Sequence, residues 1–111
     1  MTAKDIYDRA IISLGYADDQ VFKNRAVVAI NQVYDELYNS LSHVDYCPIK
    51  SLNDDVNYPP RICTGAMVYG VAERLALGEA DGEKQQYYAM QFDRAKAKIV
   101  ITDHIQDTLP R

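Results

Sequence analysis

Apolar residues recur at helical spacing directly after the first few residues of the chain. Thr2 can accept an orphan backbone N–H group of a first helical turn, with Asp5 three residues later as in a capping box. Gly15 follows the last periodic position and suits the left-handed end of a helix. The pattern predicts a helix over residues 3–14. Its apolar positions are Ala3, Ile6, Tyr7, Ala10, Ile11 and Leu14.

A second, longer apolar stripe predicts a helix that begins after Asp18 and Asp19, which can cap it, and stops near Ser42. The stripe comprises Val21, Phe22, Ala26, Ile30, Val33, Leu37 and Leu41, and Val27, Tyr34 and Tyr38 widen it. The opposite face is polar and includes Lys23, Asn24, Asn31, Asp35 and Asn39. This amphipathic pattern is the strongest in the sequence.

The pattern is irregular from His43 to Pro59, a segment with three isolated apolar positions, Ile49, Leu52 and Val56. Residues 49–52 and 56–58 either pair as a short β-hairpin around 53–55 or remain an extended loop. The turn lacks the glycine that hairpins favour. Loops of this length in small domains are often functional.

Pro60 suits the first position of a third helix, because its missing N–H group costs nothing there. The residues that follow are apolar or small on almost every side, which predicts a central helix. Gly65, Ala66 and Gly70 would let a neighbouring helix approach closely, and Gly78 ends the run.

Asp81 can cap a fourth helix, whose apolar stripe comprises Tyr88, Phe92, Ala95 and Ile99. The β-branched run over residues 100–102 weakens the helical pattern, and residues 103–111 form a polar tail that we expect to be extended or disordered. The sequence therefore predicts an all-α fold. We expect one four-helix, bundle-like domain over residues 1–102, with a hairpin or extended loop between helices 2 and 3.

The composition is that of an ordinary globular domain, with 48% hydrophobic and 25% charged residues. The formal net charge of −4 does not favour a general binder of nucleic acid. There is no apolar run of membrane-spanning length and no signal-peptide pattern at the start, so we expect a cytosolic protein with free thiols and no membrane contact. The nine tyrosines favour half-buried positions at the edge of the core, and the alternative is a tyrosine-rich protein interface.

Candidate chemistry is sparse. The glycines lack the context of a phosphate-binding loop, and Cys63 suits a small core residue better than a nucleophile. His43, Asp45 and Cys47 alternate over five residues, but only Cys63 could complete a zinc set, so a loop histidine beside a loop cysteine is favoured. We predict no catalytic residue, no metal site and no cofactor, and expect the protein to act through its surfaces rather than as an enzyme.

Three segments together resemble the small helical head–tail connector, or adaptor, proteins of tailed bacteriophages and prophages. They are VVAINQVYDELY at 27–38, the Asp-bearing loop PIKSLNDDVNYP at 48–59, and GVAERLALGEAD at 70–81 followed by Tyr88 and Phe92. The resemblance covers about residues 20–100.

The resemblance implies a structural role. Such proteins form oligomeric rings between the portal and the tail, so the implied partners are further copies of the chain and the portal and tail proteins. The ring would enclose a passive DNA channel without sequence-specific contacts, in the bacterial cytoplasm and then in the virion. The loop and the tail would supply the contacts, with Ile49, Leu52, Val56, Tyr58, Pro59 and Leu109 as interface residues.

Two other classes of function remain open. One is a small bacterial helical module that binds or regulates another protein, which the genomic neighbourhood would distinguish from a connector. The other is a metal-dependent enzyme that uses His43, Asp45 and Cys47.

Overall fold

Four helices make up most of the described chain, which in this computed structural model comprises residues 1–38 and 47–108, with side chains through Ile99. They are α1 (Ala3–Leu14), α2 (Gln20–Tyr38), α3 and α4 (Gly82–Thr108). Helix α3 runs through the consecutive segments Pro60–Ile62, Cys63–Met67 and Val68–Gly78. The helices pack into one all-α domain, and the described residues contain no strand, as the sequence predicted.

Local sequence signals set most helix boundaries. The Thr2 side chain accepts the Asp5 N–H group while the Asp5 carboxylate accepts the Thr2 N–H group, which completes the predicted capping box. Gly15 closes α1 with a φ of 72°. The Asp19 carboxylate accepts the Phe22 N–H group at 2.9 Å and so caps α2. Pro60 opens α3, as predicted.

Helix α3 lies at the centre of the bundle and contacts the other three helices. Gly70 is buried there, and a Cβ atom at this position would lie 2.8 Å from Cγ2 of Val33 and 3.1 Å from Cε1 of Phe92. Because Cβ atoms do not tolerate contacts below about 3 Å, only glycine lets α2 and α4 approach α3 this closely. The close approach expected at the small residues of α3 is confirmed at this position.

A π-helical turn, Cys63–Met67, interrupts α3 near its beginning. The Thr64 hydroxyl donates to the Pro60 carbonyl at 3.0 Å within this region. The turn places Cys63 and Met67 fully in the core, whereas Gly65 is half-buried and has nothing within 4 Å of its Cβ direction. π-helical turns occur mostly as single-turn insertions and often at functional sites.

The predicted stripe of α2 is wrong at two positions and right at most others. Val21 is 57% exposed and Tyr38 is 39% exposed, and Leu41 lies outside the described residues. Val21 and Phe22 are neighbours on a helix and therefore point about 100° apart. Phe22 takes the core position and stacks on Tyr16 with the ring centroids 5.4 Å apart, which turns Val21 towards solvent.

The hairpin considered for residues 49–58 does not form, and this loop pairs with the N-terminus instead. Asp55 makes an isolated antiparallel bridge to Thr2, and the Val56 N–H group donates to the Met1 carbonyl at 2.9 Å. The Asp54 carboxylate closes the turn by accepting the backbone N–H groups of Lys50 and Ser51. A side-chain-closed turn of this kind replaces the glycine turn of a hairpin.

The same loop completes the beginning of α1. The first N–H groups of a helix have no partner within the helix. The Ala3 N–H group donates to the Asp54 carbonyl at 2.9 Å, and the Lys4 N–H group donates to the Leu52 carbonyl at 2.8 Å. These bonds explain physically why the loop pairs with α1 rather than with itself.

Helix α4 is longer than predicted and continues through residues 100–102 to Thr108. β-Branched residues cost only a few tenths of a kcal/mol each in a helix, so a run of three does not end one that is already formed. Residues 103–108, expected in an extended or disordered tail, are therefore helical, and residues 109–111 lie outside the described part.

Ala80 adopts a left-handed φ of 55° in the α3–α4 connection. This conformation costs a residue with a Cβ atom about 1 kcal/mol or more, so Ala80→Gly is expected to raise the free energy of unfolding by roughly 0.5–1 kcal/mol. The inverse change at the left-handed end of α1, Gly15→Ala, is expected to lower it by a similar amount. Urea unfolding of both variants checks the pair, and a loss of stability in Ala80→Gly would contradict the expectation.

Candidate interaction surfaces

The loop residues predicted to form an interface fall into different environments. Ile49, Val56 and Tyr58 are each 4% exposed and belong to the core of the domain. Leu52 is half-buried against that core, Pro59 is exposed, and Leu109 lies outside the described residues. Core burial alone accounts for the apolar character of the first three. The interface prediction therefore rests on Leu52 and Pro59 within the described loop.

Asn31 fixes this loop to α2, a role that its place on the polar face did not suggest. Its Nδ2 atom donates to the Ile49 carbonyl at 2.9 Å, and its Oδ1 atom accepts the Ile49 N–H group at 2.8 Å. The Tyr58 hydroxyl donates to the Tyr34 carbonyl at 2.9 Å, and these two rings stack with centroids 4.5 Å apart. The loop is thus held in one position by α1 and α2 together.

Most of the described tyrosines belong to the core or its edge, which was the favoured expectation. Tyr7, Tyr34, Tyr58 and Tyr88 are buried, and Tyr16 and Tyr69 are packed against the core. Burial, together with a 2.7 Å hydrogen bond to Asp18, raises the pKa of Tyr7 well above its ordinary value. Two described tyrosines, Tyr38 and Tyr87, have exposed rings.

The cysteines and the considered metal ligands form no reactive cluster in the described residues. Burial raises the pKa of the Cys63 thiol, which donates to the Tyr58 carbonyl at 3.5 Å. Such a thiol is protonated and shielded, unlike a nucleophile. Cys47 is exposed, and His43 and Asp45 lie outside the described residues. Within the described ranges no three His, Cys, Asp or Glu side chains are placed to hold a metal ion.

A groove of about 430 Å³ opens between the beginning of α3 and the middle of α4. We call it the basic groove. Its lining comprises Arg61, Ile62, Gly65, Ala66, Tyr69, Gln91, Arg94, Ala95, Lys98 and Ile99. The π-helical turn contributes Gly65 and Ala66. Ile62 and Ala66 are buried whereas the three cations of the lining are exposed, so the lining is apolar in its middle and cationic at its margins.

The three cations of the basic groove, Arg61, Arg94 and Lys98, are exposed, and among the described side chains no carboxylate lines the groove with them. Among the described residues none of the three makes an ion pair or a hydrogen bond through its side chain. Three exposed cations along one groove favour an anionic occupant. Arg61 is far from the other two in sequence and joins them only through the packing of α3 on α4.

The neighbouring cations on α3 and α4 are neutralised, in contrast to those of the groove. Glu36 of α2 accepts hydrogen bonds from Arg74 at 2.6 Å and from Lys96 at 2.8 Å. Burial alone would raise the pKa of the Glu36 carboxyl, but these two bonds outweigh it and hold the pKa below its ordinary value. Lys96 is therefore neutralised, although Arg94, Lys96 and Lys98 lie close together in the sequence.

A second surface lies at the other end of the α3–α4 pair. We call residues 77–83 the acidic turn, because exposed Leu77 stands beside Glu79, Asp81 and Glu83. Asp81 accepts the Tyr16 hydroxyl at 2.8 Å and caps α4 through the Lys84 N–H group. Burial and that hydrogen bond raise the pKa of Tyr16 to about 12. The turn is thereby fixed against the α1–α2 connection.

No family model, no curated protein and no solved structure matches this chain. None of the helices in the described part has the length and apolar character needed to cross a membrane.

Proposed function

We propose that this chain is a head–tail connector subunit of a tailed bacteriophage or prophage, which acts by assembling into a ring between portal and tail. The observation that carries the proposal is the fixed position of residues 48–59 ahead of α3. These residues are the Asp-bearing segment of the resemblance, and Asn31 and the beginning of α1 hold them in place. A subunit that works by assembly needs surfaces whose shape is set before contact, since ordering them on binding would reduce affinity.

The helical architecture also supports the proposal. The resemblance implies a small helical domain whose helices pack side by side, and the four described helices form such a domain. Leu52 and Pro59 then lie on a rigid loop, where a portal or tail protein could contact them. The buried residues of the loop serve this role indirectly by anchoring it.

The test combines the purified chain with the portal protein encoded in the same genome, measured by mass photometry and negative-stain imaging. We expect a ring of this chain on the portal. Leu52→Asp is expected to weaken the complex at least about ten-fold, because it places a carboxylate where an apolar side chain would be buried. Asn53→Asp adds the same charge at the neighbouring exposed position and is the matched control.

Thermal unfolding of both variants separates a lost interface from a lost fold. A chain that remains monomeric and does not associate with the portal would contradict the proposal. That result would favour a small regulatory module, and the genes beside this one would then be expected to encode neither portal nor capsid proteins.

A further inference from the structure

We propose that the basic groove of one copy receives the acidic turn of a second copy. Neighbouring subunits would then join head to tail, that is, through two different surfaces of the same chain. This inference rests on the proposed function and deepens it, because it names the two surfaces that would join neighbouring subunits of the ring. It is carried by the shape and charge of the groove and by a complementary segment on the same chain.

The groove imposes two requirements on its occupant. Its middle is formed by apolar or small side chains, among them Ile62, Ala66 and Ile99, which favour an apolar group. Its margins carry Arg61, Arg94 and Lys98 without a carboxylate partner in the described residues, which favours an anionic group on each side. An occupant that presents an apolar side chain between acids satisfies both requirements.

The acidic turn has this composition. Leu77 is 61% exposed and so presents an apolar side chain at the surface of the turn. Glu83 is exposed and makes no ion pair within the described part of the chain, and Glu79 is exposed although it pairs with Arg25. The turn is also short and is held by the Asp81 contacts, so little conformational entropy is lost when it docks.

The two surfaces cannot meet within one chain. The groove involves residues 61–69 of α3, whereas the acidic turn follows Gly78 at the opposite end of the same helix. At 1.5 Å per residue, Arg61 and Gly78 are roughly 25 Å apart. A contact between two different surfaces is heterologous, and repeated contacts of this kind close into rings or extend into filaments. The arrangement therefore suits an assembling subunit.

Nucleic acid suits the groove less well than an acidic peptide segment does. The net charge of the chain is −4, and three cations would give only weak, salt-sensitive binding to phosphates. The apolar middle of the groove would also remain without an apolar partner.

The test uses two variants of the full chain, each with one surface changed at exposed positions. The groove variant carries Arg94→Glu and Lys98→Glu, and the turn variant carries Leu77→Ser and Glu83→Gln, so that the two changed surfaces do not attract each other. Arg9→Glu, an exposed charge reversal on α1, is the matched control. Circular dichroism and thermal unfolding establish that each variant is folded. Sedimentation velocity then measures assembly up to about 1 mM, which covers contacts with dissociation constants as weak as about 1 mM.

We expect the wild-type chain and the Arg9→Glu control to form assemblies that grow with concentration and weaken as salt rises. The groove variant and the turn variant are each expected to stay monomeric. Mixed in equal amounts, they are expected to form dimers and nothing larger, because one intact turn meets one intact groove and the other two surfaces are changed.

Several results would overturn the inference. They are a wild-type chain that is monomeric throughout, variants that assemble like wild type, or a mixture that forms no dimer. Loss of binding to a fluorescent single- or double-stranded oligonucleotide in the groove variant, without loss of assembly, would reassign the groove to nucleic acid. Recruitment to the portal is measured separately with the same variants. Intact recruitment with any of these results leaves the proposed function standing while the head-to-tail contact fails.

Discussion

Gly70→Leu is expected to lower the free energy of unfolding by at least about 3 kcal/mol, or to prevent folding altogether. Even a Cβ atom at this position would lie 2.8 Å from Val33 and 3.1 Å from Phe92. The three further carbon atoms of leucine would have to separate α3 from α2 and α4. A domain of this size has only about 5–15 kcal/mol of stability in total. Urea unfolding followed by circular dichroism measures the loss.

Gly65→Leu is the matched control, because it makes the same substitution on the same helix where nothing lies within 4 Å of the Cβ direction. We expect its stability to be unchanged or higher by up to about 1 kcal/mol, the helix-propensity cost of glycine. A second check is Gly70→Ala in a Val33→Ala background, where the two clashing methyl groups are absent. Equal costs of Gly70→Ala with and without Val33 would contradict the proposed close approach.

Asn31→Ala is expected to lower the free energy of unfolding by about 2–4 kcal/mol, since it leaves both the N–H group and the carbonyl of Ile49 without their partners. Ile49 is 4% exposed, so water reaches these groups poorly. The loop would detach from α2 or remain with unsatisfied polar groups. Asn24→Ala, at an exposed position seven residues earlier on α2, is the control and is expected to cost less than about 0.5 kcal/mol.

Hydrogen exchange at the Ile49 amide distinguishes a local from a global effect. If Asn31 holds the loop, exchange of this amide accelerates in Asn31→Ala under conditions in which the α1 and α3 amides remain protected. Unchanged exchange at Ile49, or a stability loss no greater than that of Asn24→Ala, would show that other contacts hold the loop.

The helices of this protein were largely predictable because their signals are local. Thr2, Asp19 and Pro60 act on N–H groups or backbone angles within the first turn of their own helices, and apolar periodicity marks the buried faces. The prediction of α2 was wrong at Val21 because Val21 and Phe22 are adjacent apolar residues and only Phe22 occupies the core position. The sequence contains no means of choosing between them, because the choice depends on Tyr16, which stacks on Phe22.

The candidate surfaces were only partly predictable. The loop between α2 and α3 was recognised by its length and composition, but its pairing with Met1, Thr2 and Ala3 joins segments about fifty residues apart. The basic groove was missed because Arg61 and Arg94 belong to different helices. A partial signal exists in the sequence, since Arg94, Lys96 and Lys98 lie within five residues, but Glu36 neutralises Lys96 and only the other two line the groove.

By itself, the sequence determined the helical class of this protein, the beginnings of its helices and the central place of α3, because caps, periodicity and small residues act over one or two turns. The tertiary structure decided which cations are neutralised and which remain at the groove, where the loop is fixed, and that Gly65 faces open space while Gly70 is enclosed. These three outcomes depend on residues that are far apart in the chain and close in space, because charge pairing and steric contact are set by spatial distance.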